Sequence, residues 1–158
     1  MKQKRASEPR PRAKPPRARA ARTPAIPIEG PRLSIRMVEA PVPYAEVSIH
    51  EPVTEDSIEK LFEQARAGLM LSPPRRVLVD LTDAKLRLSI SDLNGLAKLV
   101  AGSFAGVVER LAIVLQPVDV PAEKFFEPAM SNRGVPTFVS LERNEAIDWL
   151  TAQLHRPR

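Results

Sequence analysis

Apolar and polar positions divide the chain into short periodic runs. Leu33-Ser-Ile35-Arg-Met37 alternates as a half-buried strand does, and Val38 closes it. After Pro41 and Pro43, Tyr44-Ala-Glu-Val47-Ser-Ile49 alternates less cleanly and predicts a second strand, paired with the first as an antiparallel hairpin. Thr54 opens a helix, because its hydroxyl can take an orphan N–H and Glu55 and Asp56 suit the positive end of the dipole. Ile58, Leu61, Phe62, Ala65 and Leu69 form its apolar stripe, with Gly68 and Pro73-Pro74 as stop signals.

The next run, Arg76-Val77-Leu78-Val79-Asp80-Leu81, is apolar and β-branched between two turn signals. It predicts a strand buried on both faces, the centre of an α/β sheet. Residues 84–88 read as a connection into a second helix. Ser89 with Asp92, or Ser91, caps that helix, Leu93 to Phe104 supply the stripe, and it ends near Gly106. Arg110–Leu115 is another fully buried strand, ended by Pro117.

Pro121 starts a short helix carrying Phe125, Phe126, Ala129 and Met130, which Pro128 should kink or shorten and Gly134 should close. Residues 136–139 give a last strand. Ser140 is expected to cap a final helix with Ala146, Ile147, Leu150 and Leu154 inward and Trp149 beside them. A hairpin followed by strand–helix units predicts an α/β domain over residues 31–155, with a mixed five-stranded sheet flanked by four helices.

Charge changes the picture only at the start of the chain. Residues 1–30 hold nine Lys/Arg against two Glu, whereas the remaining 128 residues hold 15 basic and 17 acidic side chains. The net charge of +5 therefore belongs to a basic, Pro/Ala-rich tail. That tail has too little apolar surface to offset the entropy of ordering, so disorder is expected. It serves as a solubilising appendage, or as a weak electrostatic contact with nucleic acid or an anionic surface. There is no cysteine, which excludes disulfides and thiol chemistry and suits a reducing, cytoplasmic setting. No apolar run approaches the roughly 18 residues of a membrane span.

Signals for chemistry are sparse. His50 and His155 are the only histidines, His50 reading as a solvated loop residue beside Glu51. No H-E-x-x-H, P-loop, G-x-G-x-x-G or G-x-S-x-G pattern is present, so neither an enzyme nor a cofactor is expected. Asp80 and Asp83 at the end of the central strand suit a divalent cation or, more simply, loop bonding. Phe125 and Phe126 are adjacent and cannot share one narrow stripe, so one of them is free for a pocket or a partner groove, with ordinary core the plainer alternative.

Three segments, VLVDL (77–81), RLAIVL (110–115) and TFVSLERNEAIDWL (137–150), together resemble the SpoIIAA-like, or STAS-like, family of small bacterial domains over about residues 32–154. The resemblance implies an α/β binding module, the role of anti-sigma-factor antagonists. In those proteins a D-S-S-G-L run opens the helix after the central strand, and its second serine is phosphorylated. The corresponding residues here are Asp92-Leu93-Asn94-Gly95-Leu96, and Asn94 cannot accept a phosphate. The expected role is therefore regulatory protein–protein interaction without the usual phosphoserine switch. It is read through Ser89–Leu96 and the Asp80 edge, with Ser89 or Ser91 as caps or substitute acceptors. The alternative is a small apolar-ligand or lipid carrier with the Phe125/Phe126 helix as a lid. The protein partner is unidentified, and a homodimer is left open.

Overall fold

The computed structural model describes residues 33–39 and 41–152. The basic tail, Leu154 and His155 lie outside the described residues. The elements are β1 (Leu33–Val38), β2 (Tyr44–Ile49), β3 (Val53–Thr54), α1 (Glu55–Met70), β4 (Arg76–Asp80), β5 (Leu86–Arg87), α2 (Ile90–Phe104), β6 (Arg110–Val114), α3 (Val120–Ser131), β7 (Thr137–Ser140) and α4 (Arg143–Thr151). A 3₁₀ turn over Pro117–Asp119 leads into α3.

The main sheet has five strands in the order β1-β2-β4-β6-β7, so β4 is central as its two-sided apolar run requires. β1 pairs antiparallel with β2, in register Arg36 to Glu46, and the remaining pairings are parallel. The expected mixed α/β sheet with four helices is what the chain forms. Strand alternation then sorts residues between two faces. Ala45, Val47, Val77, Val79, Leu111, Ile113 and Val139 pack in one core with apolar side chains of α1, α2 and α3. Tyr44, Leu78, Ala112 and Val114 face the other way and meet Ala146 and Leu150 of α4.

Helix ends follow local chemistry. The Thr54 backbone N–H donates to Ser57 Oγ at 2.9 Å, so the N-cap residue is satisfied by the side chain three residues on. Ser89 and Asp92 form a full capping box at α2. Gly106 and Gly134 take positive φ (79° and 80°) beyond α2 and α3, where a side chain would be strained.

Several expectations are corrected. α1 runs through Gly68 to Met70, because one glycine costs a helix only about 1 kcal/mol. Pro128 does not end α3, which continues to Ser131. Ser140 is not the cap of α4; Glu142 holds that position, and Ser140 Oγ accepts from its N–H at 3.0 Å. The connection at 84–88 contains β5, which pairs parallel with β3 through only two residue pairs, Val53 with Leu86 and Thr54 with Arg87.

Because α4 is the one helix packed on its face of the sheet among the described residues, its anchor is critical. Leu150→Ala, at a fully buried position, is expected to lower stability by about 2–5 kcal/mol, measured by urea unfolding.

Candidate functional site

The carboxyl ends of β2, β4 and β6 lie at one edge of the sheet, and loops leaving them are tied together. His50 Nδ1, just after β2, is 3.0 Å from Asp83 Oδ2 in the loop after β4. Gln116, after β6, donates from Nε2 to the carbonyls of Thr82 and Ala84, both at 2.8 Å. His50 is thus exposed but linked to a carboxylate, a contact that its neighbour Glu51 gave no reason to expect. A His–Asp pair can orient an imidazole for acid–base work. Among the described residues no serine hydroxyl is hydrogen-bonded to that ring, and no three His, Asp or Glu gather to hold a metal.

Asp80 is bonded on both carboxylate oxygens. Oδ1 accepts from the Thr82 N–H at 3.0 Å and the Thr82 hydroxyl at 2.6 Å, forming an Asx turn. Oδ2 is paired with Arg143 Nη1 from the first turn of α4. The same guanidinium reaches Glu46 Oε1 at 2.7 Å, while Arg36 donates Nε and Nη2 to Glu46 Oε2 at 2.9 and 2.6 Å. Glu46 is only 3 % exposed, and the network of two acids and two bases is neutral. Burial alone would pull the Arg143 pKa down, but its hydrogen bond and charge contact with Glu46, with Asp80 and Tyr44 adding, hold it above its ordinary value. Burial and the Glu46 carboxylate push Tyr44 up.

The remaining expected site residues fall in two other places. At the start of α2, Ser89 Oγ accepts from the Asp92 N–H at 3.2 Å, and Asp92 Oδ2 accepts from the Ser89 N–H and hydroxyl, both at 2.7 Å. Those bonds from Ser89 lower the Asp92 pKa. Ser89 therefore works as a cap, while Ser91, two residues further on, is exposed. Asn94 is half-buried, and its Oδ1 accepts from Arg133 Nη2 at 3.0 Å.

On the opposite face from the Asp80–Arg143 pair, Phe126 is buried in the core beneath α1–α3 and Phe125 is half-buried against it. The structure thus does not bring Asp80 and the two phenylalanines together. Phe126 borders an apolar, partly open chamber of about 130 Å³ between the sheet and the three helices.

Sequence reading missed the Glu46–Arg143 contact, which spans 97 positions. It also missed Asp119. This carboxyl is buried at the start of α3, with Oδ2 lacking a hydrogen-bond partner among the described residues. Burial pushes its pKa up, only partly offset by the Gln116 backbone.

No family model and no curated protein matches the chain. Among the solved structures similar to it are two that follow. One is an uncharacterized protein of the DUF3478 family with a SpoIIAA-like fold from Shewanella loihica PV-4, at 17 % identity and TM-score 0.49, covering 75 % of this chain and 93 % of that one. The other is the anti-sigma factor antagonist SpoIIAA in its unphosphorylated form, at 12 % identity and TM-score 0.48, covering 73 % of this chain and 94 % of that one.

Two outcomes test the electrostatics. Arg143→Met should leave Glu46 and Asp80 each short of a partner and destabilise by about 2–4 kcal/mol, read by urea unfolding. For Asp119 the folded pKa is raised, so its contribution is fullest below the ordinary carboxylate range and is lost as pH rises through the folded value. Asp119→Asn should accordingly raise the Tm at neutral pH, and the gain should fade on acidification, as followed by thermal melts across pH.

Proposed function

We propose that the domain is a non-enzymatic regulatory module of the SpoIIAA/STAS type that binds another protein through the carboxyl edge of its sheet. The observation that carries this reading is the exposure of two aliphatic side chains on segments leaving that edge. Ile90, the first residue of α2, is 57 % exposed, and Val118, four residues past β6, is 74 % exposed. Ser91 and Asp83, also exposed, supply a polar rim. The motifs that carry the family resemblance support it, for VLVDL supplies the central strand and RLAIVL its parallel neighbour.

Partner choice in this reading does not depend on phosphorylation at Asn94, whose amide oxygen is already engaged by Arg133. Ser91 is the exposed hydroxyl proposed as the substitute acceptor, at the N-terminal end of α2 where added negative charge is favoured. The partner's contact surface is apolar with flanking donors, matching Ile90, Val118 and Asp83.

The test is co-purification of the full chain from cells that produce it naturally. Ile90→Asp and Val118→Asp should lose a co-purifying protein that the native chain retains, with Tm unchanged. Leu71→Asp, at a 77 % exposed site where α1 leads to the amino edge, should retain it. Retention by both edge variants would sink the proposal, and a concentration-dependent dimer disrupted by them would make the partner a second copy of the chain.

A further inference from the structure

The apolar chamber under α1–α3 has a chemistry of its own, independent of the edge and of any protein partner. Every side chain bordering it is Val, Leu, Ile, Phe or Ala. The sheet supplies a floor that includes Val79 and Ile113, α1 a wall with Leu61 and Ala65, and α2 a wall with Leu96 and Val100. Water entering such a space would find no hydrogen-bond partner among these side chains, so the chamber stays dry.

We propose that this chamber binds one compact, uncharged apolar molecule of about the size of benzene. Its volume of about 130 Å³ is close to that of the roughly 150 Å³ aliphatic and aromatic cavities that stay empty of water and take up benzene or xenon. Binding is driven by dispersion contacts that the lining atoms otherwise lack. The same observations define what is refused. A long acyl chain exceeds the space, and its carboxylate would be left without a donor among the lining side chains. Phe126 borders the chamber as a wall, whereas Phe125 is not part of the lining. Several lining residues are half-buried, and entry is placed at those beside the β3–β5 pair, Ile58, Leu86 and Leu88. That side is closed by β3 and β5, which pair over just two residues each and open more readily than the main sheet.

The experiment is thermal unfolding and methyl-detected NMR of the full chain with benzene near its aqueous solubility, with xenon under pressure, and with dodecanoate. Benzene should raise Tm by about 4 °C, and both benzene and xenon should shift the methyl resonances of Val79, Leu96, Val100 and Ile113 saturably. Ala65→Leu and Val79→Ile, which fill the chamber from helix and sheet, should each raise Tm without ligand and cut the benzene-induced rise at least twofold. Two variants on different elements guard against one failing to fold. The proposal is overturned by the absence of any shift in the native chain, or by an undiminished benzene effect in whichever variants fold. A larger stabilisation by dodecanoate than by benzene also overturns it, because the chamber would then open for a lipid.

Discussion

A five-stranded sheet must be covered on both faces, and here the coverage is unequal: α1, α2 and α3 pack on one face, and α4 alone packs on the other. With nine residues α4 is about 13 Å long, and it lies over β4, β6 and β7. The β1–β2 half of that face is closed differently. Glu46 stands there among strands, Arg36 faces it across the antiparallel pair, and Arg143 reaches it from the start of α4. An arginine in the first turn of a helix opposes the dipole, and the two carboxylates it meets offset that cost. The position of α4, and with it the second core, follows from where this charge is neutralised.

Much of this architecture is legible in the chain because it is local. The two-sided run at 76–81, the capping box at Ser89–Asp92 and the glycines at 106 and 134 each act within a few residues of themselves. The β2 segment shows how a reading goes astray. Treated as a strand led by Tyr44 it alternates poorly, yet Ala45, Val47 and Ile49 form an unbroken apolar face, and Tyr44, Glu46 and Ser48 form the other. The irregularity lies in having both faces of the strand buried, one of them polar, and not in the period. β3 and β5 escaped notice because two residues cannot display a period at all.

The site is less legible than the fold, for a geometric reason. Val79 and Asp80 are adjacent in sequence and point to opposite faces of β4, so everything near one is screened from the other by the sheet. A list of interesting side chains read along the sequence therefore mixes three environments: a polar edge with its ion pairs, a capped helix start, and a dry interior. The Glu46–Arg143 contact had no local signature, since its partners meet only after every crossover has formed. The chamber is likewise a property of how three helices settle on strands.

Trp149 gives this two-faced construction a practical consequence. It is the sole tryptophan of the chain, stacked on Phe138 with ring centroids 5.5 Å apart and overlaid by the Arg110 guanidinium at 5.1 Å. Arg110 also binds the Trp149 and Ala152 carbonyls, clasping the far end of α4 as Arg143 clasps its beginning. The intrinsic indole emission of this protein therefore reports on one side of the sheet alone. A melt followed by that light watches α4 leave its seat, and events among the three helices behind the sheet pass in the dark.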